Sequence, residues 1–249
     1  MATTVTEIVK NVYRVSTFLP EFEIAVNQFL INDDEPFLMH TGFKMNFASS
    51  RDAIASVMNP AALRWIGFSH LESDECGAMN DWLELAPSAQ AICSFIGAVV
   101  TIGDFVIRPA RPLSHGEIVE TGEHRLRFLA TPHVPHGWDG GLFFEEREQI
   151  LLCSDLLFHP GDPEPVTSSD IVGRARASIL ENLTGPLAND LPYTPRTDQT
   201  IQSLADLKPR ILALMHGSAF SGDGERTLRD YAAVLKEIHG FQNREILKD

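Results

Sequence analysis

The chain has 249 residues, 44% hydrophobic and 22% charged, which suits a globular protein with a sizeable core. Its 20 Lys and Arg against 34 Asp and Glu leave a formal charge of −14 with no basic block. That balance excludes nucleic acid and anionic membrane as main partners, since both need clustered Lys or Arg. No apolar run reaches membrane-span length, and residues 1–7 lack the cationic and apolar stretches of a leader. Cys76, Cys93 and Cys153 form neither a disulfide framework nor a Cys-x-x-Cys pair, so a reducing cytoplasm is the expected location.

Residues 6–48 read as a strand meander, with apolar positions at Ile8, Val12, Tyr13 and Val15, then 24–31 and 37–39. A helical pattern covers 50–58, and the run 63–68 reads as a buried strand. Another helical pattern opens near Gly77 with Met79, Leu83 and Ala86. Short strands are expected at 91–95 and 105–107, punctuated by Gly103 and Pro109. The second half repeats the scheme, with strands at 126–130, 142–145, 150–153 and 211–215. Residues 159–200 are the least regular part. The stretch His159-Pro160-Gly161-Asp162-Pro163-Glu164-Pro165 is unsuited to a helix or central strand, and predicts a wall or lid. Helices are expected at 197–207 and 224–239; in the second, Leu228, Tyr231, Ala232, Leu235 and Ile238 mark a buried stripe. Two strand-rich halves with helices outside predict an α/β fold, a four-layer αββα sandwich, over 1–249 as a single domain.

The densest chemistry follows the strand at 63–68. The segment Ser69-His70-Leu71-Glu72-Ser73-Asp74-Glu75-Cys76-Gly77 holds four ligand-type side chains: His70, Glu72, Asp74 and Glu75. Alternate residues of an extended segment point the same way, so His70, Glu72 and Asp74 can converge. Three other predicted strands deliver similar groups at their C-terminal ends: His133 and His136 after 126–130, Asp155 after 150–153, and His216 after 211–215. Open α/β sheets place ligands at such ends. The pattern predicts a dinuclear metal site. Cys76 and Cys153 lie beside it in sequence and read as neutral buried thiols.

The order His-x-Glu-x-Asp, then His, Asp and His, resembles the metallo-β-lactamase fold. The Glu at the second ligand position resembles the di-iron domain of flavodiiron proteins. Val26-Asn27-Gln28-Phe29-Leu30-Ile31, Ala86-Pro87-Ser88-Ala89 and Leu214-Met215-His216-Gly217 resemble further segments of that family, so the likeness spans essentially the whole chain. The resemblance implies that His70, Glu72 and His136 hold one ion, that Asp74 and His216 hold the other, and that Asp155 bridges. The family's spacing selects His136 over His133. Three departures stand out. Glu75 occupies a position that is usually His, and is read either as a ligand of the second ion or as a support behind the ligands. His40 replaces the Asp of a turn before Thr41-Gly42. The His133–Asp139 stretch carries an extra imidazole and a shifted Pro. His133, His159, His40 and Tyr193 are candidates to support the ligands from behind.

By this resemblance two iron ions are the expected cofactor, with two zinc or manganese ions as the alternative. Carboxylate-rich mixed sets favour hard, redox-active metals. The implied activity is binding or slow reduction of dioxygen or NO, as sensor or scavenger. No built-in FMN is expected, since the chain stops at Asp249 where flavodiiron proteins continue into a flavodoxin domain. An external electron donor or a signalling partner, and a homodimer, are expected accordingly. The alternative function is a metal-dependent hydrolase of a lactone, thioester or phosphodiester.

Overall fold

The computed structural model describes residues 3–240. Residues 1–2 of the stretch read for a leader, and the end of the chain at Asp249, lie outside the described residues. The first sheet runs in chain order: β1 (Thr3–Val9), β2 (Val12–Leu19), β3 (Ile24–Ile31), β4 (Phe37–Met39), β5 (Trp65–Gly67), β6 (Gln90–Ser94) and β7 (Arg111–Leu113). Its first four strands are an antiparallel meander, and β4 to β7 pair in parallel. The second sheet contains β8 (Ile118–Glu120), β9 (Arg125–Ala130), β10 (Gly141–Glu145), β11 (Ile150–Ser154), β12 (Val166–Thr167), β13 (Ile211–Leu214) and β14 (Ala219–Ser221). Its spatial order is β12-β14-β13-β11-β10-β9-β8. The helices are α1 (Phe47–Ala55), α2 (Ser73–Cys76), α3 (Met79–Leu85), α4 (Ile171–Asn182), α5 (Thr197–Ala205) and α6 (Gly224–His239).

Strand alternation sorts the apolar residues into layers. On β4, Phe37 and Met39 face the second sheet while Leu38 faces the helical layer of α1 and α3. On β11, Ile150 and Leu152 point into the shared inter-sheet core, and Leu151 and Cys153 point toward α4, α5 and α6. The predicted stripe of α6 is buried at Leu228, Tyr231, Ala232 and Leu235. The result is the αββα sandwich that the sequence pattern predicts.

Two local expectations are corrected. Residues 105–107 are not a strand but a turn, because the Asn80 side chain takes their backbone groups: its Nδ2 donates to Phe105 O at 2.8 Å and its Oδ1 accepts from Ile107 N at 3.0 Å. The irregular stretch 159–200 contains the twelve-residue α4. Asp170 caps it by accepting from Gly173 N at 2.8 Å, and Ile171, Ala175, Ser178 and Ile179 form its buried face. Polar Arg174 and Arg176 dilute that stripe in the sequence.

The inter-sheet core centres on Phe143, whose ring lies 5.3 Å from both Phe37 and Phe128. Phe143→Ala should therefore destabilise the chain by about 3–5 kcal/mol. Urea denaturation followed by circular dichroism checks this; a loss below about 1 kcal/mol would contradict the packing.

Candidate metal centre

Four strand ends meet at one edge of the sandwich. His70 and α2 follow β5, His136 follows β9, Asp155 follows β11, and His216 follows β13. β11 and β13 are parallel neighbours, so Asp155 and His216 emerge side by side. Ligand-type atoms of His70, Glu72, His136 and Asp155 all lie within 4.8 Å of one another. Asp155 Oδ2 is 3.3 Å from His70 Nε2 and 3.3 Å from His136 Nε2, and Glu72 Oε1 is 3.1 Å from His136 Nε2. Its other oxygen, Oδ1, is 3.3 Å from His216 Nε2, which lies 3.2 Å from Asp74 Oδ2. Asp155 thus faces two groups of donors, one with each oxygen.

These groups do not satisfy one another. Asp155 Oδ1 and Oδ2, His70 Nε2 and His136 Nε2 are buried and have no hydrogen-bond partner among the described residues. Buried polar atoms are rarely left so. Atoms about 2.1 Å from a shared ion lie roughly 3.0–3.4 Å apart, so the observed separations fit donors that converge on an ion. The residues present fit a metal pair, with three donors on the Asp74 side and four on the His70 side when Asp155 is counted in both.

The charge distribution agrees. Burial opposes ionisation of Asp155, but His136, His216 and His70 outweigh it and hold the carboxyl well below its usual range. Glu72 is likewise lowered, to about 2: burial opposes this, and His136 and His70 override it. Against the same burial penalty, the surrounding carboxylates raise His70 to about 12, His136 to about 9 and His216 to about 10.

Support behind these donors comes from both sheets. His216 Nδ1 donates to Ala25 O at 2.9 Å, which leaves Nε2 for the cavity. Asn27 Nδ2 donates to Leu214 O and Gly217 O at 2.9 Å each, and buried Arg14 Nη2 donates to Gly217 O at 3.1 Å. Gly217 has φ +115°, and a Cβ there would sit 2.3 Å from the His159 ring. His159 accepts from Ser218 N at 3.1 Å through Nε2 and donates to Leu157 O at 3.1 Å through Nδ1, so it packs behind the His216 loop. Burial holds this imidazole below its ordinary pKa.

The other predicted residues fall in different places. His133 is exposed and stands apart from the donor cluster. Tyr193 packs, half-buried, against the core of the α4–α6 layer and does not line the cavity. Glu75 is fully buried, and its oxygens accept from Ser69, His70 and Ser154 rather than facing the cavity. His40 is buried at φ 65°, with Nε2 3.5 Å from Glu75 Oε1. Trp138 is 57% exposed, on the turn before β10. Sequence reasoning missed Ser69, Ser154 and Arg14. The two serines adjoin the donor residues His70 and Asp155, and that adjacency was the available signal.

The donors open into a cavity of about 330 Å³ whose walls include Phe22, Ile24, Phe43, Phe158, Leu187 and Leu191. Among the described residues no Lys or Arg lines it. Ile179, Asn182, Leu187, Asp190 and Leu191 place part of the 159–200 stretch along its wall. Among the described residues no helix is long and apolar enough to cross a membrane.

A carboxylate and imidazole cluster at the strand ends of an αββα sandwich defines a core of the metallo-β-lactamase class. The profile of the ODP family beta lactamase matches residues 24–217, and the chain belongs to that family. It is 23% identical over 205 residues to the rubredoxin-oxygen oxidoreductase of Megalodesulfovibrio gigas, an alignment covering 81% of this chain and 50% of that protein. The chain thus spans about half the length of that relative. The solved rubredoxin oxygen:oxidoreductase from Desulfovibrio gigas superposes with a TM-score of 0.80 at 20% identity, over 92% of this chain and 61% of that one. A metal-soaked flavodiiron core from Synechocystis gives 0.75 at 20% identity, over 95% and 62%. The fold is that of the flavodiiron metallo-β-lactamase core.

Because the three imidazoles of the metal-free site are raised above pH 7, they are protonated there, and an incoming ion must displace those protons. Metal loading should release up to about three protons, and apparent affinity should climb as pH rises from about 6 to about 9. Calorimetry in buffers of different ionisation enthalpy measures the release; none would contradict the electrostatics.

Proposed function

We propose that this chain is a dinuclear non-haem iron domain that binds and reduces dioxygen or nitric oxide with electrons from a separate carrier. The observation that supports it most is Asp155, with each buried, unpartnered oxygen turned to its own set of donors. In this reading His70, Glu72 and His136 hold one ion, Asp74 and His216 the other, and Asp155 joins them. Three of these donor residues are histidines and three are carboxylates, a mixed set suited to hard, redox-active ions. When bound, a reduced iron pair supplies electrons and open coordination positions to a small diatomic ligand.

The chain's own residues supply selection and shielding. Phe22, Phe43, Phe158 and Leu191 give the cavity an apolar wall that favours uncharged ligands. Among the described residues no Lys or Arg lines the cavity, which counts against a phosphodiester, whose anion would meet Glu72, Asp74 and Asp155. The α4 end and the loop after it act as the wall that separates the site from bulk water. The name of the M. gigas relative joins rubredoxin to oxygen, and a one-electron carrier of that kind is the corresponding partner here.

Asp155→Ala removes the shared oxygens, so anaerobically iron-loaded variant protein should fall from about two irons per chain to near none. Full occupancy would contradict the bridge. The wild-type ferrous protein, mixed with air-saturated buffer, should consume oxygen and change its near-ultraviolet absorption. A protein that holds only zinc, ignores oxygen and turns over a lactone or thioester would support the hydrolase alternative instead.

A further inference from the structure

We propose that Glu75 is a positioning residue for His70 and not a metal ligand, a role that rests on the metal reading above. The Glu75 side chain is completely buried. Its Oε2 accepts from Ser69 N at 3.1 Å, from His70 N at 2.9 Å, and from Ser69 Oγ. Its Oε1 accepts from Ser154 Oγ at 2.6 Å and faces His70 Nδ1 at 3.4 Å and His40 Nε2 at 3.5 Å. Both oxygens are therefore committed on the Nδ1 side of His70, opposite the Nε2 atom that meets Asp155 and Glu72. A buried carboxylate with this many donors has little reason to turn toward another site.

The network also fixes the imidazole. A serine hydroxyl has one hydrogen. Ser69 Oγ has two acceptors for its hydrogen, Glu75 Oε2 and Ser154 Oγ at 2.7 Å, and with either one its oxygen is left to accept from His70 Nδ1 at 3.0 Å. That assigns the Nδ1–H tautomer of a metal-bound His70 and leaves the Nε2 lone pair for the ion. Ser154, which directs its own hydroxyl to Glu75, immediately precedes Asp155, so the acid ties the His70 loop to the strand carrying the proposed bridge. A second anchor fastens the acid's own backbone: Glu75 O accepts from Thr41 N at 2.7 Å and from Thr41 Oγ1 at 3.1 Å. Beside that anchor His40 keeps a left-handed φ of 65° with neither ring nitrogen hydrogen-bonded, and its Nε2 is turned to Glu75. A non-glycine residue in that region is strained, and such strain persists where its surroundings over-determine it.

The test uses zinc alone, so it does not depend on iron or oxygen chemistry. Glu75→Gln places an amide against donors that need an acceptor. Zinc titration of the folded variant should show the His70-side ion weakened about 10- to 100-fold, with the Asp74-side ion little changed. Long-range proton–nitrogen NMR of the zinc protein should show the His70 Nδ1–H signal shifted or lost. Loss of the Asp74-side ion with the His70 signal intact would overturn the proposal and make Glu75 a ligand. Unchanged affinities and an unchanged His70 signal would overturn it too. Ser154→Ala, which keeps the acid but removes one donor, covers a Glu75→Gln variant that fails to fold. It should weaken the same His70-side ion by a smaller factor, and no weakening there would overturn the proposal. Asp155→Ala separately tests whether a metal pair exists at all.

Discussion

The site depends on one buried carboxylate presenting one oxygen to His70 and His136 and the other to His216. Asp155 is 6% exposed, and among the described residues neither oxygen has a hydrogen-bond partner. An uncompensated buried charge costs several kcal/mol, so this geometry is tolerable only with positive charge on both sides. In the metal-free chain that charge is the protons on His70, His136 and His216. Under the proposed reading, metal ions would take their place in the loaded chain.

Holding this arrangement requires both sheets. β11 and β13 carry Asp155 and His216 from the second sheet, while β5 delivers His70, Glu72 and Asp74 from the first. Between them run the hydrogen bonds of Asn27 and Arg14 to Leu214 O and Gly217 O. The aromatic core of Phe37, Phe128 and Phe143 sits beneath and sets the spacing of the sheets. Displacing either sheet would separate the two halves of the donor set. Sandwich and site are thus one mechanical unit.

Much of this was legible from the sequence. The strands at 150–153 and 211–215 declared themselves as continuous apolar runs, because both of their faces are buried. The ligand-type residues declared themselves by ending such runs. Helix α4 was harder to see because Arg174 and Arg176 interrupt its apolar positions, and the turn at 105–107 was hidden because its hydrogen bonds go to a distant Asn80. The orientation of Glu75 lies beyond local pattern for a related reason. Its partners Ser69, Ser154 and Thr41 come from three separate segments, and only the folded chain brings them together. Arg14 was silent too, since its target Gly217 lies 203 residues away.

The most direct test is a crystal structure of the anaerobically iron-loaded chain, with anomalous scattering measured at the iron edge. Two anomalous peaks about 3.5–4 Å apart, one beside each oxygen of Asp155, are predicted. A single peak, or two peaks that do not share Asp155, would contradict the account.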